Sequence, residues 1–301
     1  MNRSDQLKLT VFTPTYNRAA MLPRLYDSLL RQSDCNCFEW LIIDDCSTDN
    51  TQNIVNDWIA EKRLDINYIK LQQNGGKPRA INLAVEKARS PYLFIVDSDD
   101  YLTDNIIDKI IKVASEVDGI EDINGIGVMQ VHQDGTCFAK PEFKNYVDAT
   151  NLERGKYGLA VDCNEAYKIS VLKNYRFKVW DGENFVPEET VLNAMALDGY
   201  KIRWLNIKGV VADYQNDGLT KGSWNLQKKN PMGYAMLYDS KLRYLNGVKA
   251  RAFAVIQMTV QSLLGKNCNY IFRSNAPFLS TLLFPISLII YLRRLWQYRS
   301  V

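Results

Sequence analysis

Histidine is nearly absent from this sequence, in which His132 is the only one among 301 residues. A Ser-His-Asp triad is built around a histidine base, and catalytic zinc sites commonly take two or three histidines. His132 has no histidine partner and follows a predicted strand, so we expect it at the surface rather than at a metal. These two classes of hydrolytic site are therefore excluded.

Several sequence patterns are also missing. The phosphate-binding pattern G-x-x-x-x-G-K-[ST] does not occur, which argues against hydrolysis of nucleoside triphosphates. Neither an RNA-recognition pattern nor a zinc-finger spacing occurs, so we expect no nucleic-acid partner. Residues 1–5 lack an apolar secretion segment, and the cysteines show no zinc-type pairing, which predicts reduced thiols in the cytosol. The six cysteines are Cys35, Cys37, Cys46, Cys137, Cys163 and Cys268.

Acidic residues are scarce in the last part of the chain. From Thr220 onwards there are 12 lysines and arginines and one acid, Asp239, so this part carries +11. Because the whole chain carries +3, the first 219 residues carry −8. An acidic half suits a cation-dependent site, whereas a basic half with a long apolar run suits an anionic membrane surface better than a nucleic acid.

The sequence does contain a clear alternation of strand and helix patterns. Short apolar runs predict strands, and apolar residues at helical spacing between them predict helices. The expected strands are Leu9–Phe12, Phe38–Ile43, Ile66–Leu71, Tyr92–Val96 and Ile126–Val131, followed by two short ones, Lys201–Leu205 and Val210–Tyr214. Since right-handed crossovers place helices between parallel strands, the pattern predicts an α/β fold with a mostly parallel, doubly wound sheet flanked by helices.

One apolar strand ends abruptly in carboxylates. Tyr92–Val96 is followed by Asp97, Asp99 and Asp100. Ligands bind at the carboxyl edge of open α/β sheets, and close carboxylates repel one another unless a cation or a raised pKa relieves them. No compensating cation adjoins the group, and carboxylates at alternate positions suit Mg²⁺ or Mn²⁺ completed by substrate phosphates. The alternative is a solvated acidic turn that caps a helix opening near Thr103 or Asp104.

Two further segments point to the same edge of the sheet. The strand Phe38–Ile43 ends in Asp44 and Asp45, so two acidic strand ends would face one crevice. After the third strand, Asn74–Arg79 brings together two glycines, two cations and a helix start. Backbone N–H groups and basic side chains in such a turn can hold phosphate oxygens.

Four segments in this order resemble the family-2 glycosyltransferases of the GT-A fold. They are Thr13–Arg18, Asp44–Asp49, Asn74–Lys77 and Asp97–Asp100. Each segment alone is weak evidence of this resemblance, but together their residue types, order and spacing are highly specific for the family. The resemblance implies a Rossmann-like GT-A sheet and an inverting enzyme that uses a nucleoside-diphosphate sugar, with uridine diphosphate sugars as the family's commonest donors.

The resemblance also assigns roles to individual residues. Asp99, together with Asp97, would hold Mg²⁺ or Mn²⁺ against the diphosphate, and Asp45 would accept a hydrogen bond from the base. Tyr16 and its neighbours would flank the base ring, while the cations of the glycine segment would lie near the phosphates. The full set of expected nucleotide-sugar-binding residues is Pro14, Tyr16, Arg18, Asp45, Lys77, Arg79, Asp97 and Ser98.

The proton acceptor is expected later in the chain, where Glu188 and Glu189 follow Pro187 and open a helical run. Such a helix start has a purely structural explanation, because a proline and acids suit the first turn. It also resembles the family's acidic pair, whose carboxylate takes the proton of the acceptor hydroxyl. The family has an aromatic residue or leucine four residues after the base and often an arginine six residues after it. Counted from Glu188, Leu192 matches the first of these positions, whereas Ala194 stands where the arginine is often found. Glu188 is the predicted base and Glu189 the reserve.

These assignments divide the chain into a catalytic domain with two halves, a basic helical extension and an apolar tail that associates with a membrane. The respective residues are 1–217 (nucleotide-sugar half about 1–105, acceptor half about 106–217), 218–273 and 274–301. Within the extension, helices are expected over Met232–Leu245 and Val248–Leu264.

The tail holds an uncharged stretch of 19 residues, Ser274–Leu292, interrupted by Pro277 and Pro285. A span needs about 20 apolar residues, so an interfacial anchor, a helix packed on the domain and a true span all stay open.

The expected function is transfer of a sugar, with inversion, from a nucleoside-diphosphate sugar to a hydroxyl of a saccharide or lipid-linked acceptor. We expect this reaction to serve cell-surface polysaccharide or glycan synthesis. The protein would be cytoplasmic, peripheral or monotopic on the inner face of the cell membrane. Two other classes of protein stay open, namely a non-catalytic module that binds nucleotide sugars and a metal-dependent phosphotransfer enzyme.

Overall fold

The computed structural model describes residues 7–212 and 223–299. The strands in these residues are β1 (Leu9–Thr15), β2 (Phe38–Asp44), β3 (Ile66–Lys70), β4 (Tyr92–Ile95), β5 (Tyr101–Leu102), β6 (Ile123–Val131), β7 (Tyr146–Ala149), β8 (Cys163–Lys168) and β9 (Lys201–Val211). The helices are α1 (Leu22–Leu30), α2 (Thr51–Glu61), α3 (Lys77–Lys87), α4 (Ile106–Val117), α5 (Ile169–Leu172), α6 (Glu189–Leu197), α7 (Ser223–Lys229), α8 (Pro231–Lys241), α9 (Val248–Leu264), α10 (Cys268–Phe272), α11 (Pro277–Leu282) and α12 (Phe284–Arg299).

The chain divides into two compact units. The first consists of residues 1–176 and 198–215, and the second of residues 177–197 and 216–301. The predicted domain boundaries stay predictions, and the one between 217 and 218 lies outside the described residues.

A single sheet forms the centre of the first unit, in the order β3-β2-β1-β4-β8-β6-β9-β5, with β7 beside β9. The strands β1 to β4 pair in parallel, as do β6 and β9, whereas β5, β7 and β8 run antiparallel to their neighbours. The predicted α/β fold with a mostly parallel sheet and flanking helices is confirmed. The direction in which successive strands are added reverses between β1 and β4, which is where open α/β sheets bind ligands.

Apolar side chains bury both faces of the central strands. Trp40, Phe12 and Phe94 are fully buried. Trp40 stacks with Tyr26 of α1 and Trp58 of α2 at ring-centroid distances of 6.2 and 5.8 Å, and Tyr26 and Trp58 stack on each other at 4.4 Å. Strands buried on both sides read as continuous apolar runs. This burial explains why the strands that end in acids were recognisable from the sequence.

The predicted pair of short strands near residue 205 is wrong. Lys201–Leu205 and the start of Val210–Tyr214 form one strand, β9, because β9 follows β6 along its length with register shifts that absorb the intervening polar residues. Tyr214 itself lies outside the described residues.

The helix expected near Thr103 or Asp104 begins later, at Ile106. The preceding residues first form β5, which pairs with β9. The acidic turn therefore leads into the sheet and does not cap a helix directly.

The second unit contains α6 and the helices from α7 onwards. The predicted helix Val248–Leu264 is confirmed as α9, and the one predicted over Met232–Leu245 is shorter, ending at Lys241 as α8. The apolar stretch forms α11 and α12, and Leu279 and Leu283 pack with Leu242 and Val255 in a small core. Among the residues that the structure describes, no helix has the length and apolar character needed to cross a membrane.

Candidate active site

The carboxyl ends of β1, β2 and β4 lie at one edge of the sheet, since the three strands are adjacent and parallel. The loops after β1 and β2 are joined by Asn17, whose side-chain Oδ1 accepts the backbone N–H of Thr48 at 2.8 Å. The N–H of Asn17 donates in turn to Ser47 Oγ at 2.8 Å. Asn17 has a φ of +52°, a conformation that asparagine tolerates better than most residues. These bonds hold the two loops together at the edge where β1 and β2 end.

Asp45 binds the glycine turn. Its two carboxylate oxygens accept the backbone N–H groups of Gly75 and Gly76, both at 2.7 Å, and the side chain is buried. Arg79 adds a bond from its Nη1 to the Gly75 carbonyl at 2.9 Å. The expectation that the amides of this turn hold a phosphate is therefore wrong for these two glycines, because Asp45 already accepts both. The predicted contact of Asp45 with a base stays a prediction.

Lys77 and Asp97 form an ion pair at the end of β4. The Lys77 Nζ lies 2.8 Å from one carboxylate oxygen of Asp97 and 2.9 Å from the other. The sequence-based expectation that no cation compensates these acids is wrong, because α3 begins at Lys77 and brings its ammonium group to the neighbouring strand end. This partner could not be recognised from the local sequence, because 20 residues separate Lys77 from Asp97.

The environment of Asp99 disfavours the charged form of its carboxyl group. Burial raises the pKa of the Asp99 carboxyl, and the negative charge of Asp97 raises it further, while Arg18 and Lys77 act in the opposite direction. The raised pKa means that the charged form is penalised, and a cation placed against the carboxylate would remove that penalty. Ser98 between the two acids is buried.

The two acids fit an incomplete metal site. Within residues 7–212 and 223–299, no group of three or more histidine, cysteine, aspartate or glutamate side chains is placed to hold a metal ion. Mg²⁺ and Mn²⁺ are commonly bound by one or two carboxylates, with substrate phosphates and water as further ligands. Asp97 and Asp99 match that requirement in number and chemistry, so the residues present fit such an ion bound together with a diphosphate.

Sequence reasoning missed three side chains that shape this strand end. Arg24 donates from its Nη2 to the backbone carbonyl of Asp99 at 3.1 Å. Asn164 of β8 donates from its Nδ2 to the carbonyl of Ile95 at 3.0 Å, and Gln130 donates to Asn164 Oδ1 at 2.9 Å. Strand β8 contains no apolar run by which it could have been found.

The remaining residues predicted to bind the nucleotide lie at the end of β1 and in the loop after it. Tyr16 is 47 % exposed, while Pro14 and Arg18 are half-buried. The hydroxyl of Thr15 is buried without a hydrogen-bond partner among the described residues. This segment therefore combines an open aromatic ring with an unsatisfied polar atom.

The two candidate bases belong to the second unit. The carbonyl of Glu188 accepts the N–H groups of Val191 at 2.9 Å and Leu192 at 3.0 Å, so Glu188 immediately precedes α6. Glu189 is the first helical residue, and its Oε2 lies 3.1 Å from the Nζ of Lys241. The assignment of Glu188 as the base, with Glu189 as the reserve, stays a prediction.

The single histidine lies away from these acids in the sequence and at the surface of the first unit. His132 is exposed after the end of β6, as predicted. Its ring centroid is 3.8 Å from that of Phe138. This contact with an aromatic ring gives His132 a packing role.

Comparisons with known proteins lead to one family. Residues 10–176 match the family model described as Glycosyl transferase family 2. The chain is 27 % identical over 191 residues to the poly(ribitol-phosphate) beta-N-acetylglucosaminyltransferase TarS of Staphylococcus aureus, covering 61 % of this chain and 30 % of TarS. It is 28 % identical over 264 residues to the teichoic acid poly(glycerol phosphate) polymerase of Staphylococcus epidermidis, covering 83 % of this chain and 35 % of the polymerase. The chain thus spans about a third of the length of these relatives.

Two solved structures share the fold. TarS 1–349 of S. aureus in complex with UDP-GlcNAc matches with a TM-score of 0.60 at 21 % identity, over 89 % of this chain and 73 % of the other. The mannosyltransferase PcManGT from Pyrobaculum calidifontis in complex with GDP-Man and Mn²⁺ matches with a TM-score of 0.55 at 15 % identity, over 95 % and 80 % of the two chains. At these identities the likeness shows the fold alone.

Proposed function

Because the match covers more than half of its length, the chain belongs to glycosyl transferase family 2, and we propose that it moves a sugar from a nucleoside-diphosphate sugar to an acceptor hydroxyl. The observation that carries this proposal is the pair of carboxylates Asp97 and Asp99 at the end of β4, beside the Lys77 ammonium group. These opposite charges lie at the end of β4, next to the point between β1 and β4 where the strand order reverses. Such an arrangement suits a diphosphate that binds together with a cation.

Donor binding would use groups from three loops. Lys77 can exchange its contact with Asp97 for a phosphate oxygen, because both partners are anionic. Arg18, whose charge already acts on Asp99, would lie close to the same diphosphate, and the open ring of Tyr16 would flank the base. A Mg²⁺ or Mn²⁺ ion held by Asp99 and Asp97 would supply positive charge to the leaving diphosphate.

The transfer itself would be a single displacement. The acceptor oxygen forms a bond to the anomeric carbon as the bond from that carbon to the diphosphate oxygen breaks, and the acceptor proton passes to the Glu188 carboxylate. Attack from the face opposite the leaving group inverts the anomeric configuration. Glu188 is the proposed base and Glu189 the reserve, because Leu192 stands four residues after Glu188, as in the family's pattern.

The relatives support a narrower form of the proposal. TarS has been solved with UDP-GlcNAc, and its name states transfer to poly(ribitol-phosphate). We therefore propose a uridine diphosphate sugar as donor and a saccharide or lipid-linked glycan of the cell surface as acceptor. The complex of PcManGT with Mn²⁺ supports the use of a divalent ion.

One experiment separates this function from its two alternatives. The protein is incubated with Mn²⁺ and a panel of UDP, GDP, CDP and ADP sugars, and the nucleotide products are separated by chromatography. Release of a nucleoside diphosphate is expected, with a uridine diphosphate sugar as the best donor. Release of a nucleoside monophosphate would instead indicate phosphotransfer. Tight binding of a nucleotide sugar without turnover, even with a panel of saccharide acceptors, would indicate a binding module.

We also propose that the tail attaches the protein to the cytoplasmic leaflet. One face of α11 and α12 packs inward, but large apolar side chains on the other face stay exposed, among them Phe278 at 84 %, Ile289 at 68 % and Trp296 at 71 %. Arg273 and Arg293 adjoin this stripe in the sequence. Apolar side chains flanked by cations suit the boundary between acyl chains and anionic headgroups.

Replacing Phe278, Ile289 and Trp296 by serine should weaken binding to anionic vesicles by about tenfold or more, since burying each large apolar side chain fully is worth about 1.5–3 kcal/mol. Sedimentation with vesicles of phosphatidylcholine and phosphatidylglycerol measures this, and nucleoside diphosphate release should be unchanged. Ile120→Ser is the matched control, because Ile120 is an exposed apolar residue of the first unit. Equal binding of the triple variant and the control would disprove the attachment.

A further inference from the structure

The loop that leads to Glu188 is attached to the start of α8. The carboxylate of Glu183 accepts the backbone N–H groups of Met232 at 2.7 Å and Gly233 at 2.9 Å, and the side chain is buried. These N–H groups belong to the first turn of a helix, which has no internal acceptors for them and favours negative charge. Glu183 thus accepts two N–H groups that the helix cannot pair internally, and the same contact fixes the loop to the helix.

Asn230, the residue before α8, binds the same loop through its backbone. Its Oδ1 accepts the N–H groups of Asn184 at 2.8 Å and Phe185 at 2.9 Å, while its Nδ2 donates to the carbonyl of Leu226 at 2.9 Å. The side chain is fully buried. Releasing the loop would leave the buried amide oxygen of Asn230 without these partners, which is costly, so the two bonds favour the observed position of the loop.

The backbone of the loop lies directly on the helix at Gly233. A Cβ at this position would meet the Phe185 carbonyl oxygen at 2.4 Å and the Val186 Cα at 3.2 Å. No other residue allows this approach without displacing the loop. The helix therefore supports the segment two to three residues before Glu188 by direct backbone contact.

The far end of the same helix contacts the residues after Glu188. Lys241, the last residue of α8, pairs with Glu189 at 3.1 Å. Just beyond, the hydroxyl of Tyr244 accepts from Asn193 Nδ2 at 3.0 Å. Glu188 thus lies between two attachments to α8 and its C-terminal flank, one before it in the sequence and one after it.

We propose that Asn230 and Glu183 are positioning residues for the proton transfer to Glu188, with α8 as the rigid support on which the base is held. This inference rests on the proposed function of Glu188. Residues 183–187 form neither strand nor helix, so the place of the carboxylate depends on the bonds that this loop makes. Proton transfer requires the base within hydrogen-bonding reach of the hydroxyl, and a misplacement of about 1 Å can cost about 10²-fold in rate.

The test is a pair of substitutions at Asn230 with a control on α8. Asn230→Ala should lower kcat for sugar transfer by up to about 10²-fold, while the KM for the donor changes little. Asn230→Asp keeps an oxygen for both loop amides but loses the Nδ2 donation to Leu226, so it should restore part of kcat. Asp239→Asn is the control, because buried Asp239 accepts from the backbone N–H of Asn275 and the hydroxyl of Tyr270, both far from the loop before Glu188 in the sequence.

Thermal melting of all three variants separates positioning from stability. If Asn230→Ala and Asp239→Asn lose similar stability but only the first loses kcat, the positioning role is supported. Equal losses of kcat at equal losses of stability would overturn it. Glu188→Gln tests the role of Glu188 as the base separately from its positioning by Asn230. A wild-type rate in that variant would refute the base itself, whereas a slow Glu188→Gln beside a fast Asn230→Ala would refute only the positioning.

Discussion

Replacing Asp99 by asparagine should reduce sugar transfer by roughly 10²- to 10³-fold, the usual effect of removing one group that stabilises a leaving anion. Asp99 is one of two carboxylates at the end of β4, and burial and the charge of Asp97 raise its pKa. Its charged form is thus disfavoured until a cation is present. Steady-state release of nucleoside diphosphate at several Mn²⁺ concentrations measures the loss.

The same substitution should leave the fold intact. Removing one of two repelling charges relieves the repulsion between them, so the melting temperature should stay constant or rise. Asp104→Asn is a suitable control, because Asp104 is an exposed acid that pairs only loosely with Arg31 at 3.3 Å. Undiminished turnover of Asp99→Asn at low Mn²⁺ would refute the assignment of this carboxylate.

Glu188→Gln should lower turnover by about 10²- to 10⁴-fold, the range expected when a general base is removed. Glutamine keeps the size and hydrogen-bonding reach of the side chain but takes no proton. Because Glu188 is assigned to the acceptor, the affinity for the donor should be nearly unchanged. Single-turnover transfer and equilibrium binding of the nucleotide sugar, measured on the same preparation, test the two halves of this prediction.

The neighbouring acid supplies the matched control. Glu189→Gln removes an equal charge one residue later and breaks the pair with Lys241, so it should affect stability slightly and turnover far less than Glu188→Gln. If the large loss appears in Glu189→Gln instead, the base lies one residue further along the chain. Either result identifies a single carboxylate.

The parts of the fold that the sequence predicts are those with a strong local pattern. Apolar runs ended by acids identified β2 and β4, and an apolar helical periodicity identified α9. Polar β8, Cys163–Lys168, was missed because its apolar side chains do not dominate either face. The break predicted inside β9 was wrong because pairing with β6 carried the strand through a polar stretch.

The candidate site was predictable in kind but not in its pairings. The motif positions of Asp97 and Lys77 follow from the sequence, yet their ion pair depends on how α3 is placed beside β4. The contact of Asp45 with the glycine turn likewise arises from the packing of two loops about 30 residues apart. The bonds from Asn230 to the loop before Glu188 join residues 45 and 46 positions apart, whereas the local sequence at Asn230 indicates only an ordinary helix cap.

In the proposed site, Lys77 and a divalent ion would compete for the Asp97 carboxylate, and this competition would couple the binding of the ion to that of the nucleotide. While the ammonium group lies 2.8 Å from Asp97, a second positive charge there is repelled. A bound diphosphate would give Lys77 another anionic partner, so binding of the nucleotide would release Asp97. By thermodynamic reciprocity each should strengthen the other's binding by the same factor. A site of this kind would discriminate against free cations and favour a cation already complexed with its nucleotide.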